Sequence, residues 1–423
     1  MIHRYLGNKT EMLEPMMAVI GQHCPPGSRV CDIFSGSLSV SFEFKRRSYS
    51  VLANDVNLFS AVVGNAFLVN NKVPAVSLEE LTPKKDIVGL RKSAGDWASR
   101  LVGGSGFKFL ENRRRRTEYV ELLALILYLQ QLEPGMVPSG WRRSDFFDTY
   151  TEEGRNSSFV SQRGRTGRRR FFSGENGRRI DAVLSQIRCW RRNGLLSEVL
   201  HSMLLSVLIR AVEKVSNTQG TYHDFPREEI DPRALNPLLL EAPRLDVALA
   251  GGKHQVGWEQ DSLEFIESAP RHDLLYIDPP YNFRQYTSYY FMPNLLCRYS
   301  DIEDLDDYFA RVEYVRGQNM DDDFVSPFCK KSLFIESLST LIGKAKTRLV
   351  ALSYFDGRNH WNEFKSDANG VGYLKLQEFF NTELFRPGTL KIVPIPRTNY
   401  QSYGGYKARE VLEFLFICEK ARG

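Results

Sequence analysis

The chain has 423 residues, 42% of them hydrophobic, which allows a sizeable core and roughly two domains of about 100–200 residues each. No apolar run approaches the roughly 18 residues that a membrane-spanning helix needs. The amino terminus, Met1-Ile2-His3-Arg4-Tyr5, lacks the apolar stretch of a signal peptide. The six cysteines form no C-x-x-C pair, so we expect reduced thiols in a cytoplasmic protein without a zinc or other metal site.

The net charge of +5 is unevenly distributed along the chain. Between Arg91 and Asn193 there are 21 Lys and Arg against 11 Asp and Glu, whereas the remainder has 35 against 40. A basic segment within a slightly acidic body is typical of a part that binds a polyanion. A solvated loop with many arginines would give the same pattern, and that alternative stays open.

The first 80 residues alternate strands with helices. The hydrophobic pattern predicts strands over residues 28–34 and 49–54 and helices over residues 39–45 and 60–70, with Gly36 in the first turn. This order is expected of a parallel sheet with helices on both faces.

The alternation stops near residue 80 and resumes near residue 250. Helices are predicted over residues 113–132, 180–192 and 195–215, with a Gly/Arg/Ser-rich loop over 142–177. Strands are then predicted over residues 258–265, 273–278, 347–354, 390–394 and 410–418, with a late helix that includes 376–380. We therefore predict an α/β body of residues 1–80 and 250–423, interrupted by a mostly helical basic insertion over 81–249.

The first body contains two acidic turns. Asp32, Phe34 and Gly36 lie between a strand and a helix, where a close backbone and free helix N–H groups suit a cofactor with an amino-acid tail. Asp55 follows the second strand about 20 residues later, where an acid can accept both ribose hydroxyls of a nucleoside cofactor. An Asx turn or helix cap explains Asp55 equally well.

The most informative motif follows the apolar residues 274–277 and reads Asp278-Pro279-Pro280-Tyr281. Prolines cannot donate to a sheet and disfavour a helix, so the chain must leave the strand in a stiff, extended turn. The turn offers a carboxylate, peptide carbonyls and a flat ring at the carboxyl end of a strand, where open α/β sheets bind ligands. A planar base with an exocyclic amine needs such acceptors and such a stacking surface. A plain strand-to-turn junction with a capping acid is the alternative.

This motif resembles the catalytic motif of amino-directed DNA methyltransferases, which move a methyl group from S-adenosylmethionine to adenine N6 or cytosine N4. Residues 32–40 are similar to their cofactor motif D/E-x-F-x-G-x-G, except that Leu38 stands where a second glycine is common. The motif order, with an insertion in the middle, resembles the alpha group and its Dam-type adenine methyltransferases, and residues 282–286 resemble a restriction-system subgroup. The resemblance implies an α/β, Rossmann-like class I methyltransferase fold, with a mostly parallel seven-stranded sheet and a mostly helical inserted target-recognition domain.

The resemblance also assigns residues to roles. Catalysis falls to Asp278, Pro279, Pro280 and Tyr281. Binding of S-adenosylmethionine falls to Tyr5 and Lys9 of an aromatic-x-Gly-x-Lys element, and to Asp32, Phe34, Gly36, Asp55, Asp261, Ser262 and Asp278. A solvated amino-terminal lysine is the alternative for Lys9, and a strand-to-helix cap is the alternative for Asp261. The arginines of the insertion suit phosphates and guanine edges, and the candidates are Arg113, Arg114, Arg115, Arg116, Arg165, Arg168, Arg169 and Arg170. Trp141, Phe171 and Phe172 are candidates to fill the gap left by a flipped base, with core packing as the alternative.

These features predict a site-specific methyltransferase that acts on N6 of a flipped adenine in double-stranded DNA, with a cognate restriction endonuclease as a candidate partner and no membrane association. Three alternatives remain open from the sequence. One is cytosine N4 methylation, in which Ser more often replaces the acid at 278, and another is RNA adenine methylation. The third is a nucleic-acid-binding protein with a degenerate cofactor site, which Leu38 supports.

Overall fold

The computed structural model describes residues 9–355, 357, 359–362, 370–399 and 409–421. The strands of these residues are β1 (Arg29–Asp32), β2 (Ser50–Ala53), β3 (Ser158–Val160), β4 (Thr166–Arg168), β5 (Gln255–Val256), β6 (His272–Ile277), β7 (Thr347–Phe355), β8 (Lys391–Asn399) and β9 (Arg409–Glu419).

The α-helices of the same residues are α1 (Leu13–Gly21), α2 (Ser39–Arg46), α3 (Leu58–Gly64), α4 (Leu78–Leu81), α5 (Ile87–Leu101), α6 (Arg113–Gln131), α7 (Asp145–Tyr150), α8 (Gly174–Arg192), α9 (Glu198–Val215), α10 (Ser262–Ser268), α11 (Tyr286–Tyr289), α12 (Phe291–Arg298), α13 (Leu305–Ala310), α14 (Phe334–Lys344) and α15 (Val371–Phe379). No helix in the described part of the chain has the length and apolarity needed to cross a bilayer.

The chain divides into two compact units. The sheet unit consists of the described residues within Gly7–Gly64, Gly252–Thr287 and Phe324–Gly423. Its described strands form one seven-stranded sheet in the order β5-β2-β1-β6-β7-β9-β8. The first five of these are parallel, and β9 runs antiparallel to both β7 and β8. The predicted α/β class with a mostly parallel sheet is therefore confirmed.

The central strands are buried because their sequences are almost continuously apolar, as expected where helices cover both faces of a parallel sheet. Residues 274–277 of β6 and 349–355 of β7 are all buried. On one side, apolar residues of α14 and α15 join those of β6 and β7 in a single hydrophobic cluster.

The sheet brings the acidic turns to one edge. In the parallel register Asp32 at the end of β1 lies beside Ala53 at the end of β2 and beside Tyr276 near the end of β6. Ala53 in turn pairs with Val256, the last residue of β5. The chain order reverses between β1 and β6, and such switch points at carboxyl ends are where α/β sheets bind ligands.

The predicted strand over residues 258–265 is wrong. The strand is the shorter β5, which ends at Val256, and residues 262–268 form α10. Glu259 has a positive φ of 52°, which breaks an extended chain. Asp261 then caps α10, because its carboxylate accepts hydrogen bonds from the Leu263 N–H (2.7 Å) and the Glu264 N–H (3.4 Å).

The helical unit comprises Asn65–Gly251 and Ser288–Asp323 among the described residues. Its long helices α6, α8 and α9 confirm the three helices predicted there. The predicted loop over residues 142–177 is wrong, since it contains α7, the β3–β4 hairpin and the start of α8. The start of α7 is stabilised by a residue of α8. The Asp181 carboxylate accepts hydrogen bonds from the N–H groups of Phe146 and Phe147, both at 2.8 Å.

The boundaries of this unit differ from residues 81–249. It begins earlier because Asn65 donates to Ser202 Oγ of α9 at 2.9 Å. It also gains residues 288–323, because Arg188 of α8 donates to the Tyr299 carbonyl (2.6 Å) and Arg192 donates to the Ser300 carbonyl (2.8 Å). These contacts join residues that are far apart in sequence, so no local pattern indicates them.

Candidate active site

The turns after β1 and β2 are joined by one buried carboxylate. Asp55 accepts from the Gly36 N–H at 2.8 Å through Oδ2, and from Asn57 N and Nδ2 at 2.9 and 2.8 Å through Oδ1. Burial raises the pKa of Asp55, and these donors oppose the rise. Asp55 thus fixes the glycine turn, in which Gly36 has a left-handed φ of 48°. Its contact with ribose stays a prediction.

Leu38 adopts the backbone conformation that the missing glycine would favour. Its φ of 63° and ψ of 13° are left-handed, and it is the N-cap residue of α2. This conformation costs a non-glycine residue about 1–2 kcal/mol. The side chain is fully buried, and burial of a leucine contributes about 1.5–3 kcal/mol in return. The turn therefore has a left-handed residue at 38 although the second glycine is absent.

Asp32 carries a buried acceptor that no described residue satisfies. Its Oδ2 accepts from Ser41 Oγ at 2.6 Å, whereas Oδ1 has no hydrogen-bond donor among the described residues. Burial raises the pKa of Asp32 to about 7, and the carboxylates of Asp278 and Asp55 add to the rise. An unsatisfied buried oxygen costs free energy, so this atom is suited to receive a donor from a ligand.

Two further predicted cofactor residues lie where the loop after β5 enters α10. Asp261 caps α10 as described above, and Ser262 is 6% exposed. The loop approaches the turn after β2, because Asn54 Nδ2 donates to the Gln260 carbonyl at 3.1 Å. Only glycine fits at Gly257, where a Cβ atom would collide with Asn54 Oδ1. A contact of Asp261 and Ser262 with an adenine ring stays a prediction.

The Asp278-Pro279-Pro280-Tyr281 turn leaves the end of β6 and is held firmly. The Tyr281 carbonyl accepts from the His360 N–H at 2.9 Å. The Tyr281 ring lies edge-to-face on Tyr354, with 6.0 Å between ring centroids. Burial raises the pKa of the Tyr281 hydroxyl to about 12, so the phenol is neutral at physiological pH. Phe34, from the turn after β1, packs edge-to-face on Phe328 at 5.0 Å.

Lys9 lies between two carboxylates in the sheet unit. Its ammonium pairs with Asp278 Oδ1 at 3.0 Å and with Glu413 of β9. The Lys9 and Glu413 side chains are 3% and 0% exposed, and that of Asp278 is 19% exposed. Glu413 is held further by Ser353 Oγ at 2.6 Å and Arg397 Nε at 2.9 Å. Lys9 therefore contacts the predicted catalytic acid directly.

The charges of this cluster depend on one another. Burial raises the pKa of Asp278 to about 6, and Lys9 opposes the rise. Burial disfavours the charge of Lys9, but the carboxylates of Asp278 and Glu413 together raise its pKa above the usual value. Burial also acts against the charge of Glu413, yet Lys9 and Arg397 together lower its pKa. The cluster thus keeps Asp278 largely ionised near neutral pH.

Glu413, Ser353 and Arg397 were not identified from the sequence. One signal was present, since Glu413 is an acid in the apolar run of residues 411–418. A charged residue among the apolar residues of a buried strand needs a buried partner, and here the partners are Lys9 and Arg397.

The predicted DNA contacts fall into different environments of the helical unit. Arg113, Arg114, Arg115, Arg165 and Arg168 are exposed, and Arg116 and Arg170 are partly buried. Of the three candidates to fill the gap left by a flipped base, Trp141 is partly buried. The other two, Phe171 and Phe172, are 0% and 1% exposed, so both belong to the core.

Tyr5, which was predicted to bind the cofactor, lies outside the described residues.

Arg169 is an internal residue of the helical unit. Its side chain is 1% exposed, and its guanidinium donates to the carbonyls of Asn156 (2.9 Å), Val312 (3.1 Å) and Tyr314 (2.9 Å). Burial lowers the pKa of Arg169. A guanidinium held in this way cannot reach a phosphate without breaking the fold, so we remove Arg169 from the candidate DNA contacts.

Comparisons with known proteins agree with the motifs. The type II methyltransferase M.NlaIII of Neisseria lactamica is 27% identical over 427 residues, which cover 98% of this chain and 99% of that protein. The type II methyltransferase M.FokI of Planomicrobium okeanokoites is 27% identical over 421 residues, 99% of this chain and 52% of its own length. The modification methylase StsI of Streptococcus sanguinis is 25% identical over 422 residues, 99% and 52% respectively.

This chain therefore spans about half the length of M.FokI and of StsI and nearly all of M.NlaIII. The family model described as D12 class N6 adenine-specific DNA methyltransferase matches residues 5–322, which include the motifs of both cofactor turns and Asp278-Pro279-Pro280-Tyr281. The chain belongs to the D12 class of N6 adenine-specific DNA methyltransferases.

Proposed function

We propose that this chain transfers a methyl group from S-adenosylmethionine to N6 of an adenine that is flipped out of double-stranded DNA at one short recognition sequence. The observation that carries the proposal is the Asp278 carboxylate directly after β6, paired with Lys9. It follows a strand that lies beside β1, and Asp32 and Asp55 lie at the carboxyl ends of β1 and β2. Family membership supports the same reaction.

The residues at this edge suit the cofactor. Asp32 Oδ1, a buried acceptor without a described donor, would receive the ammonium of the amino-acid tail. Asp55 would accept from the ribose, Asp261 and Ser262 would contact the adenine ring, and Gly36 would allow close approach. When bound, the cofactor supplies an electrophilic methyl group on a sulfonium.

The residues of the turn after β6 would align the acceptor amine. The Asp278 carboxylate and the Pro279 carbonyl would accept from the two N6–H groups, which draws the nitrogen toward sp³ geometry and directs its lone pair. Tyr281 would stack on the base, a contact worth about 1–3 kcal/mol that offsets part of the few kcal/mol lost on flipping. Catalysis then consists of alignment and electrostatic stabilisation, with no covalent enzyme intermediate.

Cofactor binding should depend on the ionisation of Asp32. Since the pKa of Asp32 is raised to about 7, its carboxyl is partly protonated at neutral pH, and binding a cation there requires the ionised form. We expect the affinity to rise about tenfold from about pH 6 to about pH 8, measured by calorimetric titration. In Asp32→Asn, which can still accept from Ser41, that share of the pH dependence should vanish. Equal pH dependences in the two proteins would contradict this role.

We propose the helical unit as the target-recognition domain that binds DNA. The side chains of Arg113 and Arg115 have no acidic partner among the described residues, whereas Arg114 pairs with Glu118 at 3.0 Å. Four arginines at the start of α6 oppose the helix dipole, and a phosphate there would relieve the unfavourable charge.

Replacing both Arg113 and Arg115 by alanine should weaken DNA binding without changing cofactor binding. If each contacts one phosphate, the slope of log affinity against log salt concentration should fall by about 2. Fluorescence anisotropy over a range of salt concentrations measures this slope. The exposed Arg386, which pairs with Glu419 in the sheet unit, provides the matched control Arg386→Ala. An unchanged slope in the double variant would exclude these two residues as phosphate contacts.

The reaction is tested by incubating purified protein and cofactor with duplex DNA, single-stranded DNA or RNA and identifying the methylated nucleoside by mass spectrometry. The proposal predicts N6-methyladenine in duplex DNA. N4-methylcytosine, or preferential methylation of RNA, would refute it, as would failure of the folded protein to bind S-adenosylmethionine. On the analogy of its type II relatives, we also propose a cytoplasmic location and a cognate restriction endonuclease of the same sequence specificity.

A further inference from the structure

We propose that Glu413 is a positioning residue for the methyl-transfer reaction: it anchors the ammonium of Lys9 so that one oxygen of Asp278 is occupied and the other is available to the substrate amine. The inference rests on the proposed function. It concerns a residue on β9, beyond residues 5–322 that match the family model.

The Glu413 carboxylate is built into the sheet from two neighbouring strands. In the register of the sheet it lies between Phe355 of β7 and Ile395 of β8. Ser353 Oγ donates to Oε1 at 2.6 Å, and Arg397 Nε pairs with Oε2 at 2.9 Å.

The Arg397 guanidinium is itself fixed, because it lies over the Phe355 ring at 4.6 Å from the centroid. A buried acid with partners on both oxygens has little freedom to move.

The Lys9 side chain needs such an anchor. A lysine has four flexible methylene groups and a point charge with no preferred direction, so a single partner does not define where the ammonium lies. With Glu413 on one side and Asp278 Oδ1 at 3.0 Å on the other, the ammonium is confined. Among the described residues, the ion pairs of Asp278 are confined to its Oδ1 atom. The two oxygens of Asp278 therefore have different roles, with Oδ1 bound to Lys9 and Oδ2 free to accept from N6–H.

The charges around Asp278 determine how easily its carboxylate is protonated, and this can be measured. Asp278 faces the cations Lys9 and Arg397, the carboxylates Glu413 and Asp32, and the neutral phenols Tyr276 and Tyr281. Removal of the Glu413 charge leaves both cations in place, so Asp278 should be harder to protonate. Removal of the Lys9 charge should make Asp278 easier to protonate. A purely structural role gives no reason for shifts of opposite sign.

The test is the pH dependence of the single-turnover methylation rate with DNA and cofactor both saturating. For Glu413→Gln we expect the rate at neutral pH to fall roughly tenfold, because the ammonium is less well held. We also expect the acid limb of the profile to move to lower pH, while Lys9→Met moves it to higher pH. The KM values of Glu413→Gln for DNA and cofactor should stay within about threefold of the wild type.

Glu419→Gln is the matched control, because Glu419 lies on the same strand but pairs with the exposed Arg348 and Arg386. Its profile should equal that of the wild type. If Glu413→Gln does not fold, the double variant E413Q/R397Q keeps the buried charge balanced. A smaller shift to lower pH is expected from it, because loss of Arg397 opposes the effect of losing Glu413 but Glu413 influences Asp278 more strongly.

An unchanged rate and acid limb in the glutamine variant, or a shift to higher pH, would overturn the role of Glu413. The proposed function is judged separately on the wild type. If the wild-type protein makes no N6-methyladenine, the proposed function fails. If it does and the Glu413 variant behaves like it, only the positioning role fails.

Discussion

Replacing Asp278 by alanine is expected to lower the rate of methyl transfer by roughly 10³-fold, the scale seen when a preorganised polar group is removed from a reaction centre. The reason is local. Asp278 carries the only carboxyl group within the turn of residues 278–281, and without it the amine nitrogen loses both its alignment and the charge that favours attack. Rapid-quench single-turnover assays at saturating DNA and cofactor measure this rate without a contribution from product release.

Glu267→Ala is a suitable control for the Asp278 variant. Glu267 is an exposed acid of the sheet unit that pairs with Lys344, and its loss should leave the rate within about twofold of the wild type. A folded Asp278→Ala protein that methylates DNA at the wild-type rate would remove Asp278 from the reaction and with it the role of the turn.

The second large effect concerns stability. Lys9→Met removes the cation between Asp278 and Glu413, and breaking a buried ion pair in this way costs about 3–5 kcal/mol of the free energy of unfolding. Without Lys9 both carboxyls have folded pKa values shifted upward. Groups shifted upward bind more protons in the folded state, so stability falls as pH rises above their unfolded pKa values near 4.

Urea denaturation of Lys9→Met and wild type, each at about pH 5.5 and about pH 8, measures this effect. The loss of stability should be larger at the higher pH. Lys84→Met, at an exposed lysine, should change the free energy of unfolding by less than about 0.5 kcal/mol. A Lys9→Met loss that is equal at both pH values, or larger at the lower one, would contradict the ion-pair account.

The sequence was sufficient to predict those parts of the site in which a functional residue directly follows a recognisable strand. The apolar run before Asp278 and the turn at Gly36 both indicate strand ends, and parallel strands bring such ends to one edge. The side chains of Asp32, Asp55 and Asp278 could therefore be expected together. The mostly parallel, seven-stranded sheet was predicted from the family resemblance rather than from any one pattern.

The remainder depends on contacts between distant residues. The prediction of a strand over 258–265 is wrong because Asp261 caps a helix there. Its carboxylate accepts hydrogen bonds from the N–H groups of Leu263 and Glu264. Arg169 has the same sequence context as its exposed neighbour Arg168, yet the Asn156 carbonyl and two carbonyls from a segment more than 140 residues away hold it inside the helical unit. Glu413 could be recognised as unusual in an apolar strand, but its partner Lys9 lies some 400 residues away in the chain.

We propose that the carboxylate after β6 directs a methyl group onto an adenine amine of duplex DNA. The most direct measurement is nucleoside mass spectrometry, together with modification-sensitive sequencing, on DNA from a host that lacks adenine methylation and expresses either the wild type or Asp278→Ala. We expect N6-methyladenine confined to one short motif in the wild type and its absence in the variant. Unmethylated DNA despite folded wild-type protein, or N6-methyladenine that persists in the variant, would contradict it.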